Sequence, residues 1–236
     1  MKNILVIDTI IDDKSMSQTT HLKRILGPRD TAFEFREVHP ASGGTVPQDL
    51  ADANAVIFSG SMHSAYEDFV WKRDLHLIFE AVLNSGLPAL AICFGAQFLA
   101  YHLGSSIAEN PRGVEFGPAK IQLTGDGANN KLFADHQDKY VFASHGDIIE
   151  KLPVGATLLA YNDNSPIQAY QYGPILASQF HCDVPLDCAR ELLDKRKNKY
   201  LQQGVLRDEA HYLALRDQLD LIEQSHDFLR NFLTSI

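Results

Sequence analysis

A chain of 236 residues with 45% hydrophobic and 22% charged residues carries enough apolar side chain for a folded core, which excludes a disordered or low-complexity polypeptide. Its 30 acidic against 21 basic residues leave a formal net charge of −9, which excludes nucleic acid as the main partner. No apolar run is long enough for a membrane-spanning helix, and Cys93, Cys182 and Cys188 form neither a disulfide framework nor a zinc spacing, so a reducing, cytoplasmic setting and no bound metal are expected.

The chain is expected to open directly on a buried parallel strand, Ile4-Leu5-Val6-Ile7 with Asp8 at its end, with no leader ahead of it. Asp12 and Asp13 follow in a polar loop. Leu22, Ile25 and Leu26 share one side of a helix over residues 16–26, stopped by Gly27-Pro28. Residues 33–38 alternate apolar and charged, as a strand near a sheet edge does, and residues 41–47 read as a loop. Ala55-Val56-Ile57-Phe58 is the next buried strand and runs into a glycine-containing loop, Ser59-Gly60-Ser61-Met62. Open α/β sheets hold their ligands at such strand ends. Trp71, Leu75, Ile78, Phe79, Val82 and Leu83 mark an amphipathic helix ended by Gly86.

Residues 87–104 hold the densest signal. The run Pro88-Ala89-Leu90-Ala91-Ile92 suits a buried strand, and after Cys93-Phe94-Gly95 an apolar helical stripe ends at Gly104. Strand, one-residue corner and helix make a nucleophile elbow, with Ala91 and Gly95 small because the backbone folds tightly there. The corner is expected to expose the Cys93 sulfur at a helix N-terminus, where free N–H groups favour negative charge.

Beyond Gly104 the texture changes. Residues 109–118 read as a Gly/Pro-rich loop, followed by short strands over 120–123, 140–143, 157–160, 167–172 and 175–180. Two helical patterns, 185–201 and 207–233, close the chain, and Lys195-Arg196-Lys197 reads as a solvated face. The βα units indicate one α/β domain over residues 1–236, with a mainly parallel sheet and helices on both faces (core to about 190, added helical segment about 191–236).

A cysteine nucleophile needs a base, and the base needs an orienting group. His181 stands where a strand ends, and Asp183 two residues on is placed to bend back to its other ring nitrogen. His145, with Asp147 as the acid near it, is the second candidate for the base.

These residues carry a resemblance. The run from Pro88 to Gln97 around Cys93 resembles the cysteine motif of the class I (triad) glutamine amidotransferases, and Phe58-Ser59-Gly60-Ser61 resembles their oxyanion loop. Ser144-His145-Gly146-Asp147, and Pro166-Ile167-Gln168-Ala169 with Gln179-Phe180-His181, are similar to motifs of the glutaminase domain of GMP synthetase. The resemblance implies a flavodoxin-like fold with extra C-terminal helices, no cofactor, and a Cys93–His181–Asp183 triad hydrolysing the side-chain amide of glutamine. It also implies an oxyanion hole from Gly60, Ser61 and Phe94, a glutamine pocket lined by Gln97, Ser144 and His145, and ammonia passed to a separate synthetase or acceptor subunit. Ser61 and Met62 stand where the family usually has glycine and proline, and Asp183 where it usually has a glutamate one methylene longer. Two further readings follow from these departures: a γ-glutamyl peptidase or hydrolase, and a catalytically impaired regulatory or binding homologue.

Overall fold

The computed structural model describes residues 1–10, 17–27, 31–43, 50–133 and 139–236; Asp12, Asp13 and residues 44–47 of the expected loops, and Met16 and Pro28 at the ends of the expected first helix, lie outside them. In chain order the elements are β1 (Lys2–Ile7), α1 (Gln18–Leu26), β2 (Phe33–Val38), β3 (Ala55–Phe58), α2 (Lys72–Ser85), β4 (Ala89–Ile92) and α3 (Phe94–His102). There follow β5 (Ile107–Glu109), β6 (Glu115–Leu123), α4 (Gly125–Ala128), β7 (Lys139–His145), β8 (Asp147–Ile149), β9 (Thr157–Tyr161), β10 (Ala169–Tyr172), β11 (Ile175–Ser178), α5 (Leu186–Gln202), α6 (Glu209–Gln218) and α7 (Glu223–Ser235).

The sheet runs β2-β1-β3-β4-β11-β10-β9-β6-β7. The stretch from β2 to β11 is parallel, as the βα units predict. Beyond β11 every pairing is antiparallel. Alternation along the strands sends side chains to two cores. Leu5, Ile7, Val56 and Phe58 meet Leu75, Phe79 and Val82 of α2 and Phe98 of α3 on one face. Ile4, Val6, Ala55 and Ile57 meet Leu22 of α1 and Phe228, Leu229 and Phe232 of α7 on the other. β2, the alternating segment, lies at the sheet edge.

Two expectations need correction. Residues 115–118 are not loop: β6 begins at Glu115 and pairs with β7 from Glu115↔His145 onward. Pro118 is tolerated because β9 meets β6 only at Gln122 and Leu123, leaving the other edge open at the proline. The expected helix over 207–233 is interrupted by a tighter 3₁₀ turn, Leu219–Ile222. Side chains three apart eclipse in such a turn. Leu219 and Ile222 thereby join Phe116, Phe142, Ala189 and Leu193 in a third core, which sets α5 over β6 and β7, while α7 proceeds to the sheet.

Candidate functional site

Loops from the carboxyl ends of β3, β4 and β11 converge. Cys93 follows β4 with φ 51° and ψ −105°, the single non-glycine residue of positive φ among the described residues. Its N–H donates to the Ser178 carbonyl at 2.7 Å, and its own carbonyl accepts from the Gln97 N–H at 2.9 Å, so the corner is tied to β11 and to the first turn of α3. A Cβ on Gly95 would lie 2.9 Å from Phe58 Cβ and 3.1 Å from the Phe58 carbonyl oxygen, which explains the small residue required there. The sulfur is not openly exposed, contrary to expectation: Cys93 is 5% accessible and lies in the wall of a cleft. The loop 144–147 and helix α5 supply the opposite walls.

His181 lies three residues beyond β11, fixed by its N–H donating to the Phe142 carbonyl at 2.8 Å. Its Nδ1 is 3.0 Å from Asp183 Oδ1, and Cys93 lies close enough for its sulfur to act on the charge of the ring. The shorter acid therefore reaches the ring. Burial opposes charge on this imidazole, but the Asp183 carboxylate and the Cys93 sulfur outweigh it and push the pKa from 6.5 to about 10. Asp183 is buried, which by itself raises its pKa; His181 more than compensates and holds the carboxyl below the usual range.

Sequence reasoning missed what holds Asp183. Gln18, fully buried on the first turn of α1, donates from Nε2 to Asp183 Oδ2 at 2.6 Å. A glutamine in an apolar helical face was the available signal, but its partner is 165 residues away. His226 of α7 meets the Val184 carbonyl at 2.8 Å, bracing the residue after Asp183.

The residues singled out as an oxyanion hole lie beside this group. A Cβ on Gly60 would come within 3.0 Å of His181 Cε1 and 3.7 Å of Cys93 Cβ. The Gly60 carbonyl accepts from Thr9 Oγ1 at 2.8 Å, and Ser61 Oγ donates to the Thr9 carbonyl at 2.9 Å, so the loop is anchored to the end of β1. A trans peptide points its N–H opposite its carbonyl, so the Ser61 N–H faces away from Thr9. Phe94 begins α3, where backbone N–H groups lack helical partners.

A cleft of about 340 Å³ opens beside Cys93, a volume in the range of small-ligand sites. Gln97, Ser144 and His145 line it. Gln97 Nε2 donates to the Asp147 carbonyl at 3.0 Å and to Gln179 Oε1 at 3.1 Å, and Gln179 Nε2 sits 3.7 Å from Cys93 Sγ. His145 is spoken for at both nitrogens: Nδ1 lies 3.0 Å from the Asp147 carbonyl and Nε2 lies 2.9 Å from Glu115 Oε2. Its acid is thus Glu115, from the stretch expected to be loop, rather than the Asp147 side chain. That geometry removes His145 from contention as the base. Lys195 is exposed, but Arg196 is not the solvated residue expected: it turns into the cleft and donates from Nη1 to Ser144 Oγ at 3.1 Å. Away from the cleft, Asp8, Glu37 and His39 bring potential ligand atoms within 4.8 Å of one another, but Asp8 already accepts from the Ile10 N–H at 2.9 Å.

The fold defines a doubly wound α/β protein with its candidate site at the carboxyl ends of the parallel strands. The family model for class-I glutamine amidotransferases matches residues 10–193, and the chain belongs to that family. It is 38% identical over 137 residues to the glutamine-hydrolysing GMP synthase of Wolinella succinogenes, covering 56% of this chain and 25% of that protein. With the corresponding enzyme of Campylobacter hominis it shares 33% over 171 residues, covering 71% and 32%. The chain thus spans about a quarter to a third of the length of these relatives. A glutamine amidotransferase structure from Thermotoga maritima superposes with a TM-score of 0.81 at 22% identity, covering 99% of this chain and 97% of that one. One from Methylobacillus flagellatus gives 0.72 at 16% identity, covering 98% and 94%. Among the described residues no helix is long and apolar enough to cross a membrane.

Proposed function

We propose that the chain hydrolyses the side-chain amide of glutamine through a covalent γ-glutamyl thioester on Cys93. The observation that carries this reading is the placing of the His181 ring, 3.0 Å from Asp183 Oδ1 and beside Cys93, with a Cβ on Gly60 set to meet His181 Cε1 at 3.0 Å and Cys93 Cβ at 3.7 Å. In this mechanism the thiol proton already rests on His181, whose pKa is about 10, when the sulfur attacks the amide carbon. The tetrahedral oxyanion is held by the N–H groups of Phe94 and the Gly60-Ser61 loop, each worth about 2.7–4 kcal/mol to the transition state. Collapse breaks the C–N bond, and His181 passes its proton to the leaving nitrogen, releasing ammonia. Water then attacks the thioester; His181 takes the water proton and holds it as the thiolate leaves and glutamate departs. Asp183 fixes the ring tautomer throughout, with Gln18 fixing Asp183.

Ammonia made this way goes to a separate synthetase or acceptor subunit, a reading supported by the similarity to glutamine-hydrolysing GMP synthases. The three free thiols suit a reducing, cytoplasmic setting. The test is glutamate release from glutamine together with intact-mass detection of a γ-glutamyl adduct. Both are expected in the unaltered protein and lost in Cys93→Ala; turnover that persists in the variant would refute the proposal.

A further inference from the structure

Helix α5 brings to the cleft a charge that the core of the family does not account for. Arg196 and Lys199 both line it, and both lie beyond residue 193, where the family match ends. The Arg196 guanidinium is held on three sides. Nη1 donates to Ser144 Oγ at 3.1 Å and to Tyr200 Oη at 2.9 Å, while Cζ stands 5.8 Å from the ring centroids of both Phe116 and Tyr200. Nothing anionic completes this cradle: among the described residues neither Arg196 nor Lys199 forms an ion pair. The carboxylate in the lining, Asp147, instead accepts from Tyr66 Oη at 3.4 Å. A half-buried arginine with its fork fixed and no counter-charge is set to receive a planar anion, and carboxylate matches that fork in two parallel hydrogen bonds.

We infer that Arg196, supported by Lys199, forms a carboxylate-binding subsite of the Cys93 cleft and so selects γ-glutamyl substrates that present an anion to α5. The inference rests on the glutaminase reading above. Two carboxylates qualify: the α-carboxylate of the glutamyl group, and one carried by the leaving group, as in a γ-glutamyl dipeptide. Arg196→Met keeps an unbranched apolar stem and removes the charged fork that stands over Phe116; Arg196→Lys restores the charge without the fork.

Labelling of Cys93 in the full chain, located by peptide mass mapping, separates this subsite from the nucleophile. Neutral iodoacetamide reports the sulfur alone, and a diazoketone analogue of glutamine bearing the α-carboxylate reports the subsite as well. Steady-state kcat/KM is then compared for glutamine and γ-glutamylglycine. In Arg196→Met we expect iodoacetamide labelling at the unaltered rate and a loss of roughly 10- to 100-fold in kcat/KM carried by KM, partly recovered in Arg196→Lys. If glutamine and γ-glutamylglycine fall together, with slower diazoketone labelling, the anion is the α-carboxylate; if γ-glutamylglycine alone falls, it is on the leaving group. Unchanged kcat/KM for both substrates, or equal loss of iodoacetamide labelling, overturns the subsite. Failure of iodoacetamide to label Cys93 in the unaltered protein overturns the nucleophile instead, and the two failures are distinct.

Discussion

Replacing Asp183 by asparagine separates the charge of this carboxylate from its shape. Asp183 accepts from two donors, His181 Nδ1 at 3.0 Å and Gln18 Nε2 at 2.6 Å. An asparagine keeps one acceptor for His181 but turns an NH₂ toward Gln18. That clash has a ready relief, because Gln18 Oε1 is buried without a hydrogen-bond partner. Rotating the Gln18 amide by 180° presents this oxygen to the new NH₂, so both contacts survive as neutral hydrogen bonds. The expected stability loss is therefore modest, about 2 kcal/mol for two weakened bonds. The electrostatic change is larger: moving the His181 pKa from 6.5 to about 10 corresponds to about 5 kcal/mol, drawn from Asp183 and Cys93 against the opposing burial. Asp183→Asn should bring the titration of the His181 Cε1 proton, followed by NMR, well down toward 6.5, and lower kcat by about 10³- to 10⁴-fold. An unmoved titration, or a loss of less than about tenfold in kcat, would refute the assigned role of the carboxylate.

Gly95→Ala should destabilise the fold by about 1–3 kcal/mol in urea melts, because the added methyl meets Phe58 backbone at 3.1 Å rather than a flexible side-chain end; an unchanged midpoint contradicts the tight elbow. Stability should peak near neutral pH. His181, with its pKa raised to about 10, contributes stability that is full below 6.5 and lost as pH rises through about 10. His76, His102 and His226, lowered chiefly by burial, act oppositely: their neutral forms fit the fold, and stability falls as pH drops through 6.5. Asp183→Asn should flatten the alkaline limb and leave the acid limb, a result readable from urea midpoints measured between pH 5 and about 10. An alkaline limb of unaltered steepness in that variant contradicts the His181–Asp183 coupling.

Local pattern determined a great deal of this protein. Continuous aliphatic runs of four residues fit strands buried on both faces, and stripes such as Leu75-Ile78-Phe79-Val82 fit helices packed against them, so the parallel half of the sheet was legible. So was the Cys93 corner, because the small residues flanking it record close backbone approach. Tertiary structure alone decided which distant groups meet. Gln18 reaches Asp183 across 165 residues, and Glu115 claims His145 because β6 and β7 pair in register. Arg196 is indistinguishable in sequence from its charged neighbours; the 3₁₀ turn at Leu219–Ile222 and the aromatic seat of α5 bring it into the cleft. Periodicity reports which face of an element is buried, whereas the partner of a polar side chain depends on how the elements are stacked, and no short window of sequence carries that information.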